Sequence, residues 1–374
     1  MLSRTLGVRL MLMVGKIIPL PAPSSLTLAI ERIEVTADSA GPTGFQITFR
    51  VSKNMLGEYN LLDGLSLTSL EPYTRVIVGV LVGITPTVLI DGVITHQQLQ
   101  PSARPGQATL TVSGTDLTTV LDQVEMTFGY LCMPDSTIVQ SILGRYVEYG
   151  IVPVATLTKT VPLPTEREVW QQESDLSFIQ YLAQRNNYVF YIESFEPFVN
   201  LAYFGPDLRI GEVLPALTMD MGASDNLLSI NFSKDGSLPV LVTGQMGIPK
   251  TAVTIPFALP AVRLPPLALL PTVPMRTRAL RETAKYDATQ TMDAVSAVQS
   301  RHQDAVVATG EVDSLRYGSV IRPRRLIGVR GVGRSFDGLY WVNRVTHVIE
   351  RDKYTQSFAL SREGTGSTTP MVLT

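Results

Sequence analysis

The 374-residue chain has one cysteine and three histidines, and charged residues make up only 17% of it. Each shortage excludes something. A single thiol, Cys132, can build neither an internal disulfide framework nor a zinc ribbon, and its default reading is a small buried side chain. His96, His302 and His347 share no metal-ligand spacing. No G-x-S-x-G nucleophile elbow occurs, and no acidic pair lies on a recognisable cleft motif. Cys132 with a distant histidine, or two carboxylates brought together by folding, stay open on sequence alone. An average soluble chain is about 25% charged, so the deficit here suggests that much of the surface is covered by something else. The net charge of −2 argues against bulk attraction to nucleic acid or to an anionic membrane. No apolar run reaches the length of a membrane-crossing helix; the densest, Val76 to Ile84, has the length of a strand. Arg4, Arg9 and the apolar run between Leu10 and Val14 resemble a signal peptide. However, Lys16 follows almost at once and no small-x-small cleavage site appears, so a strand over Val8 to Ile18 is expected instead.

What is present is apolar and rich in turns. Apolar residues make up 45% of the chain, with 28 glycines and 25 prolines, and the length suits two or three domains. Period-two alternation puts Phe45, Ile47, Phe49 and Val51 on one face of a strand, and Ala108 to Gly114 alternates again. Asp91-Gly92 between apolar pairs suits a hairpin turn or a bulge. These segments suggest a small antiparallel barrel or sandwich. The pattern then changes. Thr137 to Tyr149 reads as a helix. Ser174 to Asn186 reads as another, with Ser174 as N-cap, Asp175 at the positive end of the dipole, and a stripe of Leu176, Ile179 and Ala183. Asn186-Asn187 tolerates the left-handed geometry that ends a helix, and Tyr188 to Ile192 follows as a strand. Strand patterning returns at Asn226 to Phe232.

Two segments are candidates for contact with other molecules. Between Ile255 and Pro274 the chain carries Pro256, Pro260, Pro265, Pro266, Pro271 and Pro274 among Leu, Ala and Val. Such proline density excludes a helix or a central strand, and a solvated linker would be polar. An extended strap lying on protein, such as a neighbouring subunit, is the expectation. A polar helix over Arg278 to Val307 should follow. The closing segment from Gly310 places Arg322, Arg324, Arg325, Arg330 and Arg334 with no acidic residue between them. Nucleic-acid binding, an inter-subunit patch pairing arginine with carboxylate, and a solvated strand face are the three readings. Gly331-Val-Gly333 fails as a dinucleotide fingerprint, since it lacks the third glycine and leads into a strand. Gly328, Gly331 and Gly333 are read as bulge and turn glycines. The strand Gly338 to Val345 should turn Tyr340 and Trp341 to opposite faces, one into the core and one onto a subunit. A final strand is expected over Tyr354 to Leu360.

Three groups of residues carry a family resemblance. Trp170 to Tyr191 contains Glu173-Ser174-Asp175, Phe178 and Leu182-Ala183 opening a helix, with an aromatic strand after it. Gly338 to His347 and Tyr354 to Arg362 read as a closing hairpin. Asp91 to Thr95 with Leu110 to Asp116 reads as the end of a first barrel. Together they resemble the hub proteins of contractile tails: the phage late control protein D family, the baseplate hubs of contractile-tailed phages, and the N-terminal part of type VI secretion spike proteins. The resemblance implies a mainly β fold with an α/β insert and two tube-like β-barrel domains. The implied organisation is a first barrel at 1–115, an α/β insert at 116–220 and a second barrel at 221–253 with 310–366. A proline-rich linker plus helix at 254–309 and a tail at 367–374 complete it.

The resemblance further implies a homotrimer whose six barrels form a pseudo-sixfold ring joining a hexameric inner tube to a trimeric spike, beside other baseplate components. It implies no catalytic residue, cofactor or metal, and assembly in the bacterial cytoplasm within a phage tail or contractile injection particle. The chain departs from type VI spike proteins in stopping at Thr374 without a fused β-helical needle, which implies a separate spike. Its proline-rich segment is closer to the hubs of phage-tail-derived extracellular injection systems. A tail-tip cell-wall hydrolase and a carbohydrate-binding β module are the alternatives.

Overall fold

In a computed structural model the structure describes residues 4–5, 8–53, 70–82, 85–104, 107–158, 169–247, 254–260, 265–280, 295 and 303–369. The chain divides into two compact units. One comprises Met1–Pro206, Asp313–Val320 and Thr346–Gln356, and the other Asp207–Val312, Ile321–Val345 and Ser357–Thr374. It is mainly β, with helices concentrated in one insert.

The first unit opens with β1 (Arg4–Thr5), β2 (Val8–Gly15) and β3 (Leu20–Pro21), then a short helix, α1 (Ser24–Ala29). β4 (Ile30–Asp38), β5 (Gly44–Val51), β6 (Arg75–Val82), β7 (Thr85–Gln100) and β8 (Ala108–Asp116) follow. They hydrogen-bond in the order β1-β2-β6-β7-β8-β5-β4. The alternation seen in the sequence decides which face is buried. Phe45, Ile47, Phe49 and Val51 all point into a core shared with Ile33, Val35, Leu110 and Val112. Thr346–Gln356 closes on β4, where the hydroxyls of Thr36 and Thr346 lie 3.1 Å apart and Arg32 donates to Glu350 at 3.1 Å.

Asp91-Gly92 is neither a turn nor a bulge. β7 runs straight through it, and the register shifts flank it, at Leu89 against β6 and at Thr95 against β8. The reason is electrostatic. Asp91 is buried and binds Arg75 bidentately, with Nε to Oδ1 at 2.8 Å and Nη2 to Oδ2 at 2.6 Å. A turn there would expose both charges.

Apart from the Ile17 carbonyl, the insert supplies the remaining hydrogen-bond partners of that pair. It contains α2 (Thr118–Leu121), β9 (Phe128–Tyr130), α3 (Asp135–Leu143), β10 (Ile151–Ala155) and β11 (Val169–Gln171). α4 (Asp175–Arg185), β12 (Val189–Glu196) and β13 (Val199–Gly205) complete it. β10, β13 and β12 form a three-stranded sheet with β10 parallel to β13. α3 and α4 bury Ile138, Ile142, Phe178, Ile179 and Leu182 in a core with Ala202 and Phe204 of β13. The predicted helix from Thr137 begins at Asp135 and tightens into a 3₁₀ turn over Gly144–Tyr149. Ser174 caps α4 by accepting from the Ser177 N–H at 3.3 Å, and Asn187 takes the left-handed conformation beyond it. Cys132 is exposed and also left-handed, contrary to the buried thiol expected.

Asp175 does more than face the helix dipole. Its carboxylate accepts from Gln171 Nε2 at 2.6 Å and from the Tyr146 hydroxyl at 2.7 Å, with Arg145 at 3.4 Å. Burial, with this carboxylate second, pushes the Tyr146 phenol above its usual range. Asp135, at the start of α3, likewise receives Arg185 and Asn186 from the end of α4. Each pair joins a negative charge at a helix start to a neighbouring element.

The second unit holds β14 (Val213–Thr218), β15 (Leu227–Lys234), β16 (Val240–Gly247), β17 (Thr254–Pro260), β18 (Ala268–Pro271) and β19 (Arg276–Ala279). β20 (Val306–Asp313), β21 (Leu326–Arg330), β22 (Gly338–Glu350) as far as Val345, β23 (Tyr354–Arg362) from Ser357 and β24 (Gly364–Ser367) follow. The main sheet runs β14-β21-β22-β23-β20-β15. Its two edge strands meet at one end through Asn226, whose side chain accepts from the Thr218 N–H at 2.8 Å and donates to the Ala216 carbonyl at 2.9 Å. A side chain there replaces a missing rung of the ladder. Gly331 must be glycine: its φ is +84°, and a Cβ would sit 1.8 Å from the Met219 carbonyl oxygen.

Tyr340 and Trp341 are both buried within the chain, so neither is left for a subunit. Tyr340 lies under the Arg362 guanidinium, 4.3 Å from its ring centre, and beside Phe232. Trp341 packs on Leu267 and Leu326 and under Arg209. A sheet covered on both faces buries both of its alternating sets. The helix predicted over Arg278–Val307 is absent at its described ends, where Arg278 lies in β19 and Val306 begins β20. Val295 in its middle is helical and buried against Val240 and Val242, and residues 281–294 and 296–302 lie outside the described residues.

Removing one partner of the buried Arg75–Asp91 pair should cost about 3–5 kcal/mol, because the other charge is left unpaired. Asp91→Ala is expected to lower the unfolding free energy, read from urea titration, by that amount. Arg75→Met with Asp91→Leu should lose less than either single change. Additive losses in the double variant would contradict this account.

Candidate assembly interface

The five arginines do not make one basic face. Arg324 is buried with φ +60°, and its N–H donates to the Val342 carbonyl at 3.0 Å. Arg322 and Arg325 are half-buried. Arg325 donates to the Arg324 carbonyl at 3.1 Å and lies 3.8 Å from Glu212. Arg330 donates to the Thr218 hydroxyl at 2.9 Å and so ties β21 to β14. Only Arg334 of the five is exposed. Spacing along the chain could not reveal this, because the acidic and hydroxyl partners come from residues more than a hundred positions away.

The proline-rich segment is extended and lies on its own chain in two places. β17 is an edge strand on β16, where Pro256 pairs with Gln245 and Pro260 with Leu241. β18 pairs with β24, placing Pro271 opposite Gly364. Pro256, Pro265, Pro266 and Pro271 are exposed. Edge placement is what proline permits, since a missing N–H there leaves no central rung unmade. Between these strands one pair of residues turns inward: Leu267 and Ala268 are buried, Leu267 against Leu326 and Trp341. The residues after them turn outward. Leu269 and Leu270 are each 64% exposed, Val273 is 69% exposed and Met275 is 83% exposed. From Pro265 to Met275 there is no charged residue. An uncharged row of this kind has no reason to face water unless something covers it.

One buried charged residue, Glu363, holds the segment while its neighbour Arg362 holds a turn, and sequence reasoning passed over both. The buried Glu363 carboxylate accepts from the Leu267 N–H and, at 2.8 Å, from the Ala268 N–H. Thr272 donates its N–H to the Glu363 carbonyl at 3.1 Å. Arg362, on the other side of the strand, donates to the carbonyls of Asp337 at 3.0 Å and Ser335 at 2.7 Å. Burial holds its pKa below the usual arginine value. The available signal was an adjacent Arg-Glu pair ending an otherwise uncharged strand.

No protein-family model matches the chain, and no curated protein matches it. Solved structures do match, over nearly its whole length. A tail protein from Neisseria meningitidis MC58 is 14% identical, with 96% of this chain and 97% of that one covered at a TM-score of 0.62. The fold is that of phage tail proteins. The 43 kDa tail protein of prophage MuSo2 from Shewanella oneidensis is 13% identical, covering 95% and 98% at 0.62. An E. coli type VI secretion system component, described as structurally similar to the T4 bacteriophage tail proteins gp27 and gp5, is 14% identical. It covers 92% and 77% at 0.55. The resemblance carried by residues 170–191 and by the closing hairpin is thus borne out at the level of fold. Within this tail-protein fold no group of His, Cys, Asp or Glu suited to a metal ion occurs among the described residues.

Replacing Glu363 by alanine should release the Leu267 and Ala268 amides and cost about 1–3 kcal/mol. Hydrogen exchange at those two amides should rise well beyond the global change. Unchanged protection there would show that Glu363 does not hold the segment.

Proposed function

We propose that this protein is the structural hub of a contractile injection machine or phage tail. In this reading three copies form the adaptor between a hexameric inner tube and a trimeric spike, together with other baseplate components. The observation that carries the reading is the end-to-end match with tail proteins, in which 96% of this chain and 97% of the Neisseria tail protein are covered. The fold of the type VI component adds a relative from a second kind of machine. Two features of the chain support a subunit role over an enzymatic one. Its buried polar groups, Arg75–Asp91–Asn200 and Asp175–Gln171–Tyr146, are engaged in joining elements. Its uncharged row from Leu269 to Met275 faces outward, and burying each of those apolar side chains against a neighbour is worth about 1.5–3 kcal/mol. The particle would be assembled in the bacterial cytoplasm.

The test is the mass of the purified chain, alone and with its spike and tube proteins. A trimer, or a monomer that becomes one on the spike, is expected. A stable monomer that ignores both proteins would sink the proposal. Val273→Asp and Met275→Asp should weaken assembly at least tenfold while leaving thermal unfolding unchanged, since both residues are exposed. Deleting the whole segment is a poorer test, because it also removes Leu267 from the core.

A further inference from the structure

The insert carries a second outward apolar feature. β9 and β11 form a two-stranded ribbon in which Trp170 pairs with Gly129. A Cβ placed on Gly129 would lie 3.3 Å from three atoms of the six-membered ring of Trp170, so the indole lies flat across the glycine. Trp170 is nevertheless 53% exposed, and Phe128, Leu131 and Met133 beside it are exposed as well. The stretch from Phe128 to Met133 carries no charge. Phe128 and Tyr130 flank Gly129 and alternate to the other face of the ribbon, where they meet edge-on at 5.0 Å and Tyr130 stacks on Phe178 at 5.8 Å. Such a flat, supported aromatic surface is what extended proline-rich segments dock on, because their backbone is already ordered and their rings stack on indole.

This chain also presents such a segment, the uncharged run Pro265 to Met275, whose Pro265, Pro266, Leu269, Leu270, Pro271, Val273 and Met275 are exposed. We infer that the Trp170 platform of one copy receives the proline-rich segment of a second copy. The inference rests on the reading of the chain as a ring subunit and names the two surfaces that would meet. Neither the run Phe128–Met133 nor the run Pro265–Met275 carries a charge, as suits the core of a permanent interface. Because the two patches differ, the contact is head-to-tail. Contacts of that kind close into rings rather than two-fold dimers.

The experiment uses full-length chains in three forms: wild type, Trp170→Ala, and Leu269→Asp with Leu270→Asp. All the substituted residues are exposed. Native mass spectrometry of wild type, with its spike protein where needed, should give a trimer. Each variant alone should fall threefold in mass, to monomer. An equimolar mixture of the two variants should recover a dimer, because one intact platform still meets one intact segment. Gly129→Val, which tilts the ring without removing it, should weaken the wild-type assembly in the same direction. Acrylamide quenching adds a spectroscopic readout: Trp341 is buried, so the quenchable emission comes from Trp170 and should be lost on assembly. If wild type forms trimers and either variant does too, the pairing is overturned while the ring reading stands. A mixture in which no dimer appears also overturns the pairing. If wild type never assembles with itself, the spike or the tube, the ring reading falls and the pairing with it.

Discussion

Arg75 and Asp91 are 1% and 0% exposed, and everything in the first unit is arranged so that neither charge has to face water. Arginine donates to both carboxylate oxygens and to the carbonyls of Ile17 and Tyr149, the latter two at 2.9 and 2.7 Å. Asn200 donates to Asp91 at 2.9 Å from β13, and Ser194 receives the Asp91 N–H at 3.0 Å from β12. Tyr149 and Phe198 place their rings near the guanidinium. Four distant stretches of chain therefore end on one ion pair. The corner that delivers Tyr149 depends on Gly150, with φ +71°, where a Cβ would strike the Phe198 carbonyl at 1.8 Å. A buried pair of this kind adds little net stability, since desolvation offsets much of the attraction. It does specify geometry, because any other arrangement of the insert on the sheet strands a charge.

The second unit uses the same device with a different result. Arg362 and Glu363 are neighbours in sequence and are buried on opposite sides of the strand end. Arg362 gathers the turn at Ser335–Asp337 and lies over Tyr340. Glu363 gathers the backbone at Leu267–Ala268. One strand terminus thereby fixes both a turn and the inward pair of the proline-rich segment, and the residues that follow are left facing out. The exposed row from Leu269 onward is a consequence of where the carboxylate grips the chain. An apolar row that faces outward needs such an anchor, since nothing about leucine itself prefers water.

Local patterning was legible wherever a single physical rule acted. Period two identified β5 and β8 and which faces they bury. Ser174 announced the start of α4, and Asn187 its left-handed exit. The Gly338–Val345 and Tyr354–Leu360 strands were readable from their alternation, as was the resemblance they carry. Asp91-Gly92 misled because turn chemistry and a buried ion pair use the same residue, and only the position of Arg75 across the ladder decides between them. Cys132 misled in the opposite direction: a small apolar side chain is usually buried, but here the backbone turns outward in a left-handed loop. Tyr340 and Trp341 misled because alternation predicts opposite faces correctly but says nothing about what covers each face.

The sequence by itself determined the class of the molecule: mainly β, low in charge, and without metal-ligand or nucleophile motifs. Those properties follow from composition and from spacings of two to four residues, over which backbone geometry alone sets what faces what. Tertiary structure decided everything that depends on residues far apart in sequence. It spread the five arginines from buried to exposed, gave each buried carboxylate its partner, and turned Leu267 inward and Leu270 outward. Coulomb attraction and burial act through space, and no local spacing encodes the distance between Arg75 and Asn200 or between Glu363 and Leu267.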